Sequence, residues 1–497
     1  MEKELKSNRF CHDILKSGIK RARALCNLMM AMSSYESARS VVQLSLSPLY
    51  HYQYSSVFKV IHDIVDDGNY KEVQQKVQSV CMNYYEDCSS TPYVLQTDSS
   101  SVLKPHSPTL KDRMYVCIAN KVIADNKPIG VGYDVSYINV SDYANSSWSM
   151  PLSIERIGKH ETSTQRAQSQ LKSLLTHPDL GLNDRLVVNT LDSKYGNAAY
   201  LAPVYKHDNL VSVARLRQGI RVWTRYEGPQ SRKGQTRVYG QKYYLNNQTQ
   251  HKTFKNPRTK ESIQVVQESI FDLAADDYVR LSRSTKKGRA IHVDLWRWNN
   301  VMLRSKNGHD MRNKPLDIVC IRFTDAQRGK RLFKKDMFVC VHGQSKSDVS
   351  TVQAYEYYRH RYDIEPYFRF AKQRLLLSKY QALDERHFDN WLLIQQLCSW
   401  LLYTASDETC AIPHKWEQYL RTYKTKIQNG LRLSITKTFR AAQKLFLTFD
   451  QQVFKPLKSN KGSGRKKGQT QTPRTQYKVV RKQTNSNIHK LKMLQLE

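Results

Sequence analysis

Residues 358–372 read YRHRYDIEPYFRFAK and carry one acid and several cations at helical spacing. Glu365 and Lys372 are seven residues apart, which is two turns of an α-helix, so their side chains share one helix face. On an unbroken helix, Tyr358 and Arg361 join them within a wedge of roughly 60°. A carboxylate suits a metal ion, and neighbouring Arg and Lys side chains suit the phosphate that a metal ion activates. The stretch therefore predicts a helix face suited to phosphate chemistry.

Pro366 limits how far this helix extends toward the N-terminus. A proline in a helix interior removes a hydrogen bond and clashes with the preceding turn, but the first turn tolerates it. We therefore predict a helix that starts with Asp363 as the N-cap. Glu365 and Lys372 then share one face of the same helix, whereas the placement of Tyr358 and Arg361 on that face depends on a kink before Asp363. A solvated helix with a salt bridge between Arg361 and Glu365 is the alternative interpretation.

Outward from this stretch, hydrophobic periodicity divides the chain into helical, mixed and β-rich segments. Strands that alternate with helices indicate an α/β sheet covered by helices. The final segment is basic and poor in large apolar residues, so we predict that it is disordered when no DNA is bound. The predicted segments are 1–90 (helical), 91–216 (α/β), 217–345 (β-rich), 346–406 (helical, with the stretch above), 407–454 (helical) and 455–497 (basic tail).

The charge balance favours a polyanionic partner. Lys and Arg number 79 against 44 Asp and Glu, giving a formal net charge of +35, so nucleic acid is the first candidate and an anionic membrane surface the second. The charged start lacks a secretory signal's apolar core, and the most apolar helical stretch, 391–405, is shorter than the roughly 20 residues of a membrane span. The nine cysteines are scattered without zinc-site spacing. We expect a soluble cytoplasmic protein without a membrane partner.

The spacing Tyr-x2-Arg-x3-Glu-x6-Lys, formed by Tyr358, Arg361, Glu365 and Lys372, resembles the signature of the insertion sequence four family of bacterial transposases. The proline at 366 departs from the aromatic or polar residue expected at that position. Several separated segments also resemble the insertion sequence 701 branch of the family. They are RYDIEPYFRFAKQRLLL, the SKYQA that follows it, SVARLR at 212–217 and PLSIERI at 151–157.

The resemblance spans about residues 90–405 and implies a fold. It implies an RNase H-like catalytic core, divided into residues 91–216 and 346–406 by a β-rich insertion domain at 217–345. A helical DNA-binding domain at 1–90 and a C-terminal helical region complete the expected α/β architecture.

The resemblance also implies a catalytic Asp, Asp, Glu triad, with Glu365 as its third member. Each aspartate should end a buried strand, where its side chain can point toward a metal site. Asp98 ends TPYVLQTD, and Asp192 ends RLVVNTLD. Asp134, in the middle of a strand, is the rival for the first position, and Asp184, which precedes its strand, is a weaker rival for the second.

Three carboxylates suit two Mg²⁺ ions, because magnesium prefers oxygen ligands and keeps several waters. We expect Asp98 to bridge both ions, and Asp192 and Glu365 to hold one ion each. Mn²⁺ should substitute for Mg²⁺.

Further residues are expected to contact DNA. In the resembling family the β-rich insertion helps to stabilise a base flipped from the duplex end, and Trp298 is our candidate stacking residue, with Trp296 as the alternate. A core position is the commoner fate of a tryptophan in a β-domain. The residues expected to grip phosphates are Tyr358, Arg361, Lys372 and Arg369.

The resemblance implies cut-and-paste transposition in bacteria, in association with the nucleoid. A metal-dependent enzyme would cleave element ends and transfer the strands, and we expect it to do so through a hairpin. Its partners would be double-stranded DNA, namely the terminal inverted repeats and the target, and a second copy of the chain, because two ends must be joined. Two alternatives remain: a catalytically inactive DNA-binding descendant of a transposase, and a nuclease unconnected with any mobile element.

Overall fold

The computed structural model describes residues 4–65, 68–86, 91–118, 129–144, 146–230, 234, 236–255, 261–285, 288–304, 308–412, 432–457, 468–470 and 472–482. Part of the predicted C-terminal helical region, residues 413–431, lies outside the described residues, as does most of the predicted tail. The chain forms two compact units. Unit 1 comprises Met1–Ser89, Asp98–Gly181 and Asp363–Glu497, and unit 2 comprises Ser90–Thr97 and Leu182–Tyr362.

Helices and strands alternate only in the middle of the chain, as the sequence predicts. In chain order the helices are α1 (Lys6–Lys16), α2 (Ala22–Met32), α3 (Tyr54–Asp63), α4 (Tyr70–Met82), α5 (Ser163–Leu175), α6 (Ala198–Val204), α7 (Thr351–His360), α8 (Ile364–Gln373), α9 (Glu385–Ala405) and α10 (Ile435–Phe446). The strands are β1 (Tyr93–Leu103), β2 (Met114–Cys117), β3 (Ile129–Ser141), β4 (Ser149–Arg156), β5 (Val187–Leu191), β6 (Leu210–Leu216), β7 (Arg221–Arg225), β8 (Tyr239–Tyr244), β9 (Gln250–Lys255), β10 (Ser262–Gln267), β11 (Asp277–Ser284), β12 (Ala290–Val301), β13 (Leu316–Asp325) and β14 (Met337–His342).

Helix α9 is the centre of unit 1. Every residue from position 390 to position 405 is buried, and a helix that is buried on all faces belongs to a protein core. Helices α1 to α4, helix α10 and strand β4 pack against it. Several of its polar side chains donate to backbone carbonyls, as where Trp400 Nε1 donates to the Pro151 oxygen at 2.7 Å. The helices predicted for residues 1–90 therefore share a core with α9.

The strands of unit 1 surround β3. Both β2 and β4 pair with β3 in antiparallel fashion, and β1 lies beside it. Gly132 on β3 approaches β1 so closely that a Cβ atom at this position would lie 2.1 Å from the Val102 carbonyl oxygen. Only glycine is accommodated at such a close backbone approach. Helix α5 packs against β3 and β4.

Residues 472–482, within the predicted disordered tail, lie as extended chain beside β2. The Val480 N–H donates to the Arg113 oxygen at 2.8 Å, and the Tyr477 N–H donates to the Pro108 oxygen at 2.8 Å. A parallel bridge joins Val480 to β2. This segment is therefore placed against the sheet, whereas the sequence predicted disorder from the scarcity of large apolar residues. Backbone hydrogen bonds to a sheet edge do not require apolar side chains.

Unit 2 contains a mixed sheet with the strand order β11-β12-β13-β14-β6-β5-β1. The first five residues of β1, up to Thr97, pair in parallel with β5, and β5 pairs in parallel with β6. Strand β14 lies antiparallel to β6, and β11 to β14 form an antiparallel series. The segment 217–345 is β-rich as predicted, but four of its strands extend the sheet begun by β1, β5 and β6. A mixed sheet with helices is consistent with the expected α/β fold class.

Candidate active site

Asp98 lies where β1 changes from buried to half-buried. Tyr93 to Thr97 are buried, and the next four residues are partly exposed. The Asp98 Oδ1 accepts a hydrogen bond from the Ser99 N–H at 2.7 Å. Strand β1 continues to Leu103, so Asp98 does not end the strand as predicted. It follows the last residue of β1 that pairs with β5, and its carboxylate is placed where the buried part of the strand ends.

Asp192 follows directly after the last residue of β5, at the carboxyl end predicted for it. Strand β5 is buried throughout, and Asp192 is half-buried. The Asp192 carbonyl oxygen accepts from the Tyr195 N–H at 2.9 Å, which closes a turn after the strand. Thr97 and Leu191, the residues before the two aspartates, are register partners of the parallel strands. Asp184, the rival, is exposed and lies before β5.

A buried hydrogen-bond network fixes this register within unit 2. Thr97 Oγ1 donates to Asn189 Oδ1 at 2.8 Å, and Asn189 Nδ2 donates to Tyr200 Oη at 2.8 Å. Thr190 Oγ1 donates to the Leu95 carbonyl oxygen at 2.9 Å. Satisfied polar networks in a low-dielectric interior specify one arrangement of the groups they join. No local sequence pattern predicts this network, because its members come from three separate segments.

Helix α8 carries Glu365 and Lys372, as the seven-residue spacing predicts. The helix begins at Ile364 with Asp363 in the N-cap position, and Pro366 therefore lies in its first turn. A 3-10 turn, Arg361–Asp363, precedes it. Glu365 is exposed and Lys372 is half-buried.

Lys372 is linked to the serines that follow Asp98. Its Nζ donates to Ser100 Oγ at 2.8 Å. Burial lowers the pKa of Lys372, and the nearby Asp134 carboxylate acts in the opposite direction. Asp134, the rival first acid, accepts a hydrogen bond from Ser101 Oγ at 2.7 Å. Asp134 lies within β3. Its carboxylate has a serine partner and contributes to the electrostatic environment of Lys372.

Tyr358 and Arg361 are buried in unit 2. Burial raises the pKa of Tyr358, while Arg361 lowers it and Asp192 is among the groups that raise it. Tyr358 is therefore within electrostatic range of Asp192. Among the described residues its hydroxyl has no hydrogen-bond partner. The Arg361 guanidinium lies 4.3 Å from the Tyr362 ring centroid.

The carboxylates match the chemistry of a magnesium site only in part. Mg²⁺ is commonly held by one or two carboxylates together with waters and substrate phosphates, and Asp98 and Asp192 carry carboxylates of the kind it prefers. Within the ranges that the structure describes, however, no group of three or more His, Cys, Asp or Glu side chains is close enough together to hold a metal ion.

The predicted DNA-contacting residues in the other segments are distributed differently. Trp298 is only 1% exposed, and its Nε1 donates to the Leu273 carbonyl oxygen at 3.0 Å. A base could reach this ring only if the surrounding core opened, so its position does not support the stacking role. Trp296 is half-buried, beneath the Arg322 guanidinium at 4.6 Å. Arg369 is exposed and lines a cavity of about 290 Å³ in unit 1.

A wide cleft in unit 2 contains residues that the sequence analysis did not select. Its volume is about 1160 Å³, and it is lined by Trp223, Arg221, Lys242 and Arg304. Trp223 is half-buried and meets Tyr239 edge-on, with ring centroids 5.8 Å apart. An accessible indole among cations can stack on a base while the cations contact phosphates. The alternation of Arg and Trp in RVWTR was the available signal.

Comparison with known families supplies an independent result. The family described as DDE superfamily endonuclease matches residues 12–278, a range that contains Asp98 and Asp192 and ends before Glu365. Curated proteins provide no match to the chain. Among the described residues, no helix combines the length and the apolar character that a membrane crossing requires. The family match covers more than half of the 497 residues, and the chain therefore belongs to the DDE superfamily endonucleases.

Proposed function

We propose that this chain is a DNA transposase of the insertion sequence four family, within its insertion sequence 701 branch. It would cut a mobile element from double-stranded DNA and join it to a target in the bacterial cell. The proposal is carried by one observation: Asp98 and Asp192 each follow a residue of the register pair Thr97 and Leu191. The family match and the Glu365–Lys372 spacing on α8 support it.

The three carboxylates are the proposed metal ligands. Asp98 and Asp192 supply two of them, and Glu365 supplies the third at the start of α8. When bound, two Mg²⁺ ions provide Lewis-acid stabilisation of the attacking and leaving oxygens. DDE-family nucleases generally use divalent metals, and oxygen ligands of this kind suit Mg²⁺ or Mn²⁺.

The reaction needs no protein nucleophile. In the first step water attacks the phosphorus at the element end, the P–O bond to the 3′ oxygen breaks, and that oxygen leaves as a free 3′-hydroxyl. In the second step the 3′-hydroxyl attacks a phosphodiester, either of the opposite strand to form a hairpin or of the target. One P–O bond forms as another breaks, so no external oxidant or energy source is required.

The cations of the signature would hold the phosphates during these steps. Lys372 and Arg361 are proposed to neutralise charge on the scissile phosphate, with Tyr358 as a hydrogen-bond donor and Arg369 in support. Arg361 and Tyr358 are buried, so a phosphate could reach them only if the surrounding side chains moved when DNA binds.

Hairpin formation distorts the duplex end, and we propose Trp223 as the stacking residue for a displaced base. Its ring lines the large basic cleft of unit 2, unlike the buried Trp298. We also propose that residues 1–90 take part in binding the terminal repeats. Two copies would hold the two element ends together.

A second candidate function is a DNA-binding descendant that has lost catalysis. It is favoured by the observation that the described residues contain no preassembled group of three metal ligands. Inactive and active proteins would both bind DNA, so binding alone does not separate the two candidates.

Cleavage of an element-end duplex in Mg²⁺ or EDTA, followed on a denaturing gel, tests the proposal. We expect Mg²⁺-dependent cleavage that falls by about 10³-fold in Asp98→Asn, Asp192→Asn or Glu365→Gln, since several kcal/mol of transition-state stabilisation would be lost. DNA binding should persist in all three variants.

Asp134→Asn is the matched control, because Asp134 lies on the neighbouring strand and hydrogen-bonds to Ser101. It should retain most of the cleavage activity. Loss of cleavage in Asp134→Asn with full activity in Asp98→Asn would make Asp134, and not Asp98, the first proposed metal ligand. Binding without any cleavage by the unmodified protein would favour the inactive descendant.

A further inference from the structure

Arg21 lines two cavities in unit 1. The first, of about 370 Å³, is lined by Lys20, Arg21, His62 and Arg386 among others. The second, of about 420 Å³, is lined by Arg21, Arg23 and Tyr52 among others. We use the name basic groove for the Lys, Arg and His side chains that line the two cavities. It consists of Lys20, Arg21, Arg23, His62 and Arg386.

The backbone at Arg21 is held in an unusual conformation. Its φ is 55°, in the left-handed region, and it occupies the N-cap position of α2. This conformation costs a residue with a Cβ atom roughly 1–2 kcal/mol. Arg21 Nε pairs with Asp63 Oδ2 at 2.6 Å, and both side chains are nearly half-exposed. Strained non-glycine residues are concentrated at functional sites, where the surrounding structure maintains them.

A pair of stacked histidines lies beside the groove. The rings of His62 and His387 are 3.9 Å apart. Burial lowers the pKa of both rings, and that of His387 falls to about 4. Arg386 and Arg474 also lower both values, whereas Asp384 raises both and Asp63 raises that of His62. Both rings are therefore neutral at pH 7, and an anion in the groove would favour their protonation.

The groove is assembled from parts of the chain that are distant in sequence. Lys20, Arg21 and Arg23 come from the turn before α2 and its first residues, His62 from the end of α3, and Arg386 from the start of α9. The docked tail adds the field of Arg474 at the same place. Convergence of cations from three segments, the start of α2, the start of α9 and the docked tail, on two cavities is suited to an extended polyanion.

We propose that the basic groove binds the phosphodiester backbone of duplex DNA. Guanidinium groups fit phosphate oxygens in a two-pronged arrangement, and several cations along a groove can follow successive phosphates. The contact would be independent of base sequence, since phosphate contacts position DNA without reading it. The inference rests on the proposed function in that it assigns a second contact for the same DNA, formed by residues other than those proposed for catalysis.

The salt dependence of DNA binding by the full chain tests the groove. The probe is a 20-base-pair duplex without element ends, and the dissociation constant is measured over a range of salt concentrations. The logarithm of the association constant falls with the logarithm of salt concentration by about 0.9 for each phosphate contact. The double variant Lys20→Gln, Arg386→Gln should reduce this slope by about 1.8 and weaken binding at low salt by about 10-fold or more. Lys444→Gln is the matched control, because Lys444 is an exposed cation on α10 outside the groove, and it should change the slope by less than the double variant.

Two further measurements keep the result interpretable. Asp63→Asn removes an acid from the groove, so it should tighten binding of the same duplex. The His387 imidazole, followed by NMR, should show a higher pKa with the duplex bound. The inference would be overturned if the salt slope of the double variant equalled that of Lys444→Gln. It would also be overturned if the double variant bound DNA as the unmodified protein does but no longer bound phosphatidylserine vesicles.

Failure of the groove and failure of the proposed function give different results. If the double variant shows a smaller salt dependence of DNA binding but the unmodified protein cleaves no DNA, the groove proposal is supported and the catalytic proposal fails. If the unmodified protein cleaves an element-end duplex and the double variant keeps the salt dependence of DNA binding of the unmodified protein, the groove proposal alone is wrong.

Discussion

The ammonium group of Lys372 donates a hydrogen bond to the Ser100 hydroxyl, two residues beyond Asp98 on the same strand. The contact ties helix α8 to the part of β1 that follows the proposed first metal ligand. Because burial lowers the pKa of Lys372, this lysine loses its proton at a lower pH than an exposed lysine does.

We expect the alkaline limit of DNA cleavage to reflect this lysine. Lys372 is cationic below its folded-state pKa, so activity should decline as pH rises toward a value below the usual 10.5. Lys372→Arg keeps the charge at all accessible pH values, and its pH–rate profile should lack that decline. Identical alkaline limbs in the two proteins would mean that Lys372 does not hold the phosphate.

Tyr358→Phe should separate stability from catalysis. Among the described residues the Tyr358 hydroxyl has no hydrogen-bond partner, so its removal should leave the free energy of unfolding unchanged or raise it by about 1 kcal/mol. Cleavage should still fall, because the phosphate loses a donor. Tyr358→Ala is the comparison for packing, and it should cost about 3–5 kcal/mol in urea unfolding. Full activity in Tyr358→Phe would remove this residue from the proposed phosphate contacts.

The two tryptophans of unit 2 should behave in opposite ways. Trp298 fills the core, so Trp298→Ala should lower the free energy of unfolding by about 3–5 kcal/mol. Trp223 lines an open cleft, so Trp223→Ala should destabilise the fold less. If its ring stacks on a displaced base, Trp223→Ala should nick element ends normally and accumulate nicked DNA in place of hairpins. Normal hairpin yield in this variant would exclude the stacking role.

Lys104 should make stability depend on pH. It is completely buried, its Nζ donates to the Tyr380 oxygen at 2.6 Å, and burial lowers its pKa to about 7. Between pH 7 and the unfolded value of 10.5, the unfolded chain binds the additional proton, so stability should rise with pH. The difference in unfolding free energy between the unmodified protein and Lys104→Met should grow by about 1 kcal/mol per pH unit from pH 7 to 9. A difference that stays constant over this range would show that Lys104 does not titrate there.

Sequence reasoning located the features that depend on local periodicity. Strands β1 and β5 and the two aspartates that follow their buried residues were found from runs of apolar residues. The seven-residue spacing placed Glu365 and Lys372 on one helix, α8. The N-cap at Asp363 was predicted from the single proline at 366, because proline restricts its own backbone and that of its neighbour.

The features that depend on distant segments were not predicted. The burial of Trp298 is decided by its contact with Leu273 and the surrounding sheet, neither of which can be read from VDLWRWNN. Pairing of β14 with β6 makes part of the β-rich segment continuous with the sheet of unit 2, and strand partners are set by register over long range. The half-buried indole of Trp223 became a candidate only when the cleft around it was visible.

The docking of residues 472–482 beside β2 has a consequence for the behaviour of the purified protein. A sheet edge with unpaired amide and carbonyl groups is a template for strands of other molecules, and natural proteins protect such edges. Here the protecting strand is itself rich in lysine and arginine, among them Arg474 and Lys478, which repel one another when two edges approach. A chain that ends at residue 470 should therefore self-associate at concentrations at which the 497-residue chain stays dispersed, even though the proposed metal ligands are intact.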